Sequence, residues 1–205
     1  FENLIVTGNH AAAGGGISIW RVSGPTLSDL IIQENTAELY GGGLMIFTSN
    51  ATLTDVIISG NNCIDPQAWG GGIITNYSGA TMTNITVTDN TAFLGGGISA
   101  SNSEITLTHA TVSGNTATGF GGGLFTGQNS TTTLTNSIIW DNIPQYFVSF
   151  GTSIITYSDI QDGWEGEGNI DADPLFTNTE NGDFTLQEGS PCIDAGIADL
   201  DDDGV

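Results

Sequence analysis

The chain has 205 residues, enough for one domain with a continuous core. It carries 23 Asp and Glu against a single Lys or Arg, Arg21, for a formal net charge of −22. That balance excludes nucleic acid, which needs clustered cations, disfavours anionic membranes and polyanionic substrates, and favours divalent cations.

In chain order, a first apolar run ends at Asn9, a Gly triplet follows at Gly14-Gly15-Gly16, and Thr26-Leu27-Ser28 closes the unit. The unit then recurs. The triplets return at Gly41-Gly42-Gly43, Gly70-Gly71-Gly72, Gly95-Gly96-Gly97 and Gly121-Gly122-Gly123, in steps of 27, 29, 25 and 26 residues. The asparagine returns as Asn35, Asn61, Asn90, Asn115 and Asn142, each closing a short apolar run. The third marker returns as Thr52-Leu53-Thr54, Thr81-Met82-Thr83, Thr106-Leu107-Thr108 and Thr133-Leu134-Thr135. Self-similarity at this period marks a repeat architecture.

The segments alternate with period two and are rich in β-branched residues, so they read as strands. Val6, Ile32, Ile58, Val87, Val112 and Ile139 face one way, as do Leu27, Leu53, Met82, Leu107 and Leu134. Three short strands per unit predict an all-β fold, a right-handed single-stranded parallel β-helix of about six to seven coils. A propeller blade needs four strands and about 40–45 residues, and the Leu-x-x-Leu-x-Leu spacing of leucine-rich repeats is absent. Identical positions of successive coils then stack about 4.8 Å apart. The asparagines are expected to form a structural ladder of side-chain amide hydrogen bonds. The glycines are expected where the chain bends sharply or a side chain would clash.

Repeats occupy residues 1–160, and residues 161–205 read as an acidic C-terminal capping or linker segment. By count, 14 of the 23 acids fall between Asp159 and Val205. No signal peptide or membrane span is visible, and the chain starts mid-pattern at Phe1, so it reads as a piece of a longer protein. Scarcity of tryptic sites suits a secreted or cell-surface setting. Cys63 and Cys192 are expected several coils apart and therefore free, unless the C-terminal segment doubles back along the solenoid.

The combined pattern resembles secreted bacterial right-handed parallel β-helix proteins, the pectate-lyase-like superfamily in its broad sense. The Gly-Gly-Gly-Ile and Val-Ser-Gly-Asn pairing is also similar to the repeats of polymorphic outer-membrane proteins. The run Asn169-Ile170-Asp171-Ala172-Asp173-Pro174-Leu175-Phe176, with Gly189-Ser190-Pro191-Cys192-Ile193-Asp194-Ala195-Gly196, resembles the tail of large bacterial surface β-helix proteins that carry C-terminal anchoring modules. The resemblance implies the fold and a cell-surface setting, and leaves function open.

Several sites are candidates. Asp199, Asp201 and Asp203 match the first half of a calcium loop, making Ca2+ the one cofactor expected. Tyr40, Trp69 and Phe120, with Leu94 between them, stand just before four triplets and stack into a column able to take sugar rings. The alternative for that column is packing over the turn. The threonine columns resemble the ice-binding faces of hyperactive antifreeze β-helices, although exposed Thr also simply suits a strand. Arg21 is the sole candidate for a lyase-type base, and the carboxylate signatures of β-helix glycosidases are missing, so no catalytic residue is assigned. His109 occupies the turn position held by Asp29, Asp55, Asn84 and Asn136. The expected function is a non-catalytic extracellular or cell-surface module, a stalk or adhesin. The alternatives are a polysaccharide-binding or polysaccharide-degrading module and an ice-binding protein. Partners are a polysaccharide or a surface protein, with no nucleic acid.

Overall fold

A computed structural model describes residues 1–144 and 148–197. They wind into a parallel β-solenoid with three sheets running along its length. The first sheet contains the joined apolar and Thr-x-Thr segments, including Thr26–Gln33, Asn50–Ser59 and Gly79–Thr88. The second holds the short strands before the triplets, such as Thr36–Tyr40 and Thr91–Leu94. The third holds the strands after them, such as Ile17–Trp20, Leu44–Phe47 and Ile73–Asn76. Five turns contribute a strand to all three sheets. Among the described residues no helix is long and apolar enough to cross a membrane, which says nothing of β-barrels.

Register is the physical content of the repeat. Thr26, Thr52, Thr81, Thr106 and Thr133 are consecutive partners across the first sheet, as are Leu27, Leu53, Met82, Leu107 and Leu134. A one-residue slip would turn the apolar set outward, so the buried face holds the register. The core is one continuous column of Leu, Ile, Val and Met from Ile17 to Ile160. Ile32, Ile58, Val87 and Val112 are fully buried within it, as their alternation predicts.

Each coil turns through residues in the left-handed region. One corner is Asp29, Asp55, Asn84, His109 and Asn136, with φ between 50° and 55°. Asn and Asp tolerate that region better than most residues. His109 is therefore a turn residue, as its place in the repeat predicts.

The glycine triplets work by absence of bulk. A Cβ on Gly71 would lie against the Gly96 carbonyl oxygen and 2.6 Å from the carbonyl oxygen of Thr91. The third glycine of each triplet faces the asparagine row: a Cβ on Gly72 would lie 3.0 Å from Asn90 Nδ2. Two repeat markers separated in sequence thus meet in space.

Beyond Ile160 the chain closes the core and turns back. Trp164 packs against the end of the core cluster. Phe176–Asn178 and Asp183–Leu186 form an antiparallel pair. The segment then doubles back along the solenoid to Ile197, whose N–H donates to Asn136 Oδ1 at 2.9 Å and whose carbonyl accepts from Asn136 Nδ2 at 2.8 Å. Both cysteines remain free even so. Cys63 lies on the second sheet, whereas Cys192 meets Asp159 on the flank of the first.

Candidate functional site

The asparagine row is a continuous ladder. Asn9, Asn35, Asn61, Asn90 and Asn115 each donate both the backbone N–H and Nδ2 to Oδ1 of the next asparagine, ending at Asn142, over 2.9–3.0 Å. Nδ2 of Asn61 and of Asn90 also donates to the carbonyl of Ile32 and of Ile58, at 2.9 Å each. Asn35, Asn61, Asn90 and Asn115 are fully buried. Their polar atoms are spent within the ladder, so these asparagines are structural.

A second ladder runs along another corner. The N–H of Val22, Ser49, Ser78 and Ser103 donates to Oγ of Ser49, Ser78, Ser103 and Ser130 in turn, at 3.0–3.2 Å. Its sequence signal is a serine three residues before each Thr-x-Thr marker.

The threonine lattice is in register without a bulge from Thr26 to Thr133, and ends at Ile154. Thr26, Thr52, Thr81 and Thr106 are exposed, while the parallel row Ser28, Thr54, Thr83, Thr108 and Thr135 is half-buried.

Tyr40, Trp69, Leu94 and Phe120 do share one register row. They are not equivalent within it. Tyr40 and Phe120 are 41% and 52% exposed, whereas Leu94 between them is buried. The Trp69 ring meets Phe125 edge-on at 6.1 Å, two coils further along. Phe125 belongs to the row Met45, Ile74, Ser99 and Phe125, which lies outside the core cluster yet is buried.

A second aromatic row lies on the third sheet. Trp20 pairs with Phe47, and Phe47 with Asn76, the neighbour of Tyr77. The Trp20 and Phe47 rings are 5.5 Å apart and those of Phe47 and Tyr77 6.2 Å apart, both edge-to-face. Trp20 is 60% and Tyr77 62% exposed. The Arg21 guanidinium carbon lies 6.0 Å from the Trp20 ring centre. The sequence signal was an aromatic residue four or five places after each of the first three triplets.

Two carboxyls, Asp89 and Asp159, and both thiols are shifted toward their protonated forms, whereas hydrogen bonds from Thr185 lower Asp183. Burial first, and then the Asp141 charge, raises Asp89 above the usual carboxylate range. Burial also raises Asp159, against hydrogen bonds from Cys192 and Ala172. Cys192 Sγ donates to Asp159 Oδ2 at 3.0 Å, and burial followed by that carboxylate pushes the thiol up to about 12. This pair lines a cleft of about 480 Å³ under the returning tail, with His109, Tyr157, Asp194 and Ile197. A protonated thiol is a poor nucleophile. Among the described residues no three His, Cys, Asp or Glu side chains cluster so as to hold a metal ion. Asp199, Asp201 and Asp203 lie outside the described residues.

Cys63 supplies a pH prediction. Burial pushes its thiol from 9.0 to about 12. Between those values the native chain holds a proton that the unfolded chain has lost, so stability falls as pH rises through the window. At pH 12 the loss is on the order of 3–4 kcal/mol. Cys63 packs with Ala37, Ala68 and Ala92, so alanine suits the site. Cys63→Ala is expected to raise the alkaline unfolding midpoint, followed by circular dichroism. An unchanged midpoint would remove the thiol as the cause.

A family model described as right handed beta helix region matches residues 1–160. No curated protein and no solved structure matches the chain.

Proposed function

The chain belongs to the right-handed β-helix family, and from that premise we propose that it is a non-catalytic module of an extracellular or cell-surface protein, an adhesin-like stalk. The observation that supports this reading is the spending of recurrent polar groups. The asparagines and serines that stack in register turn their hydrogen bonds into the stack itself. Burial is the first cause of the upward shifts at Asp89, Asp159 and Cys63, and none of these groups is set against a base. A solenoid of this kind gives each repeat only neighbour contacts, which builds length and leaves its lateral faces for partners.

The reading predicts two silent assays with the purified protein. Reducing-end and unsaturated-product assays on plant, algal and bacterial polysaccharides should show no turnover. Ice-growth measurements should show no thermal hysteresis despite the threonine lattice. Turnover abolished by Asp89→Asn would replace the stalk by an enzyme, and hysteresis abolished by Thr81→Tyr would replace it by an ice binder.

A further inference from the structure

We propose that Trp20, Phe47 and Tyr77 form a strip that binds a neutral polysaccharide, laid along the solenoid axis with roughly one sugar ring per coil. This goes beyond the stalk reading, which requires no ligand.

The argument starts from charge. The chain has 23 acids, yet residues 14–24, 41–49, 70–78, 95–103 and 121–130, which make up the third sheet with its flanking turns, include no Asp or Glu. The chain's single Lys or Arg, Arg21, sits on this face beside Trp20. One face of a highly acidic molecule is thus free of carboxylates, and one guanidinium is too little to hold a polyanion. The ligand class that fits is uncharged.

Shape and chemistry narrow it further. Exposed aromatic rings grouped on one face mark contact surfaces. Trp20 and Tyr77 are 60% and 62% exposed, and Val22 beside them is 48% exposed. The rings of successive coils stand 5.5 and 6.2 Å apart, edge to face, over a coil rise of about 4.8 Å that is comparable with the length of one pyranose in an extended glycan. Pyranose rings offer apolar C–H faces to aromatic rings and hydroxyl groups at their edges. The row of Tyr40 and Phe120 differs. Leu94 interrupts it, and Glu38 and Asp65 lie on the same flank.

The test is retention of the purified chain on insoluble cellulose, chitin, xylan and mixed-linkage glucan, with polygalacturonate as the polyanionic control. Retention is expected on at least one neutral polymer and not on polygalacturonate. Trp20→Ala and Tyr77→Ala should each weaken it about tenfold. Tyr40→Ala, on the other flank, should leave it unchanged. Both strip residues are exposed, so the variants fold, which circular dichroism verifies. Failure of every neutral polymer to retain the chain overturns the proposal, as does preference for polygalacturonate. Retention that survives Trp20→Ala and Tyr77→Ala, or falls equally with Tyr40→Ala, also overturns it. A negative result leaves the stalk reading standing, whereas cleavage of a retained polymer would sink that reading and keep the strip.

Discussion

Asn90→Ala is expected to lower the stability of the chain by about 3–5 kcal/mol, the cost of leaving several buried polar groups unpaired at once. Asn90 Oδ1 accepts from both the backbone N–H and Nδ2 of Asn61, and Nδ2 of Asn90 donates to Ile58 and to Asn115. Alanine removes all of these partners in a site with no access to water, and leaves the Asn61 backbone N–H without its Oδ1 acceptor. Asn9, at the exposed head of the ladder, is the internal control. Its side chain donates to Asn35 but supports no asparagine above it, so Asn9→Ala should cost about 1 kcal/mol or less. Denaturant unfolding of both variants checks the pair. Equal costs would mean that the ladder accompanies the fold without holding it.

Gly71→Ala is expected to cost more than about 4 kcal/mol, and so to abolish soluble folded protein. The added methyl group would meet backbone on two sides, the carbonyl of Gly96 in the next coil and that of Thr91 across the turn. Backbone held in a sheet cannot withdraw without breaking register along the stack. Gly60→Asn is the contrast. Gly60, unlike Gly71, has positive φ, at +62°, but its nearest neighbour is Glu34 at 3.8 Å, and Glu34 and Asp89 take the same conformation in the adjoining coils. That change should cost about 1 kcal/mol or less. Soluble yield and thermal midpoint decide between the two, and a well-folded Gly71→Ala would show that the coils can separate locally.

Much of the fold was legible because a solenoid places sequence repeats on top of one another. Stacking partners are one period apart, so Asn61 finds Asn90 and Leu53 finds Met82. The left-handed corner at His109 was legible for the same reason. The serine ladder carried an equally regular signal in Ser49, Ser78, Ser103 and Ser130. It lies hidden among many other serines and threonines, and only its hydrogen bonds single it out.

The lateral relations were not legible. Tyr40, Trp69 and Phe120 look alike as pre-triplet residues, but their exposure depends on what reaches over them from other rows. Trp69 is engaged because Phe125 stands two coils on, and no period predicts that contact. Trp20, Phe47 and Tyr77 become one strip only when the third sheet brings their rings together. The returning tail reaches Asn136 from Ile197 across 61 residues of chain, through a contact that occurs once. The sequence by itself determined the repeat, the strand register and the asparagine ladder, since these are nearest-neighbour relations set by period, hydrogen-bonding capacity and side-chain size. Tertiary structure alone decided which outward side chains are covered and where the tail lies, since these depend on packing between rows that share no period.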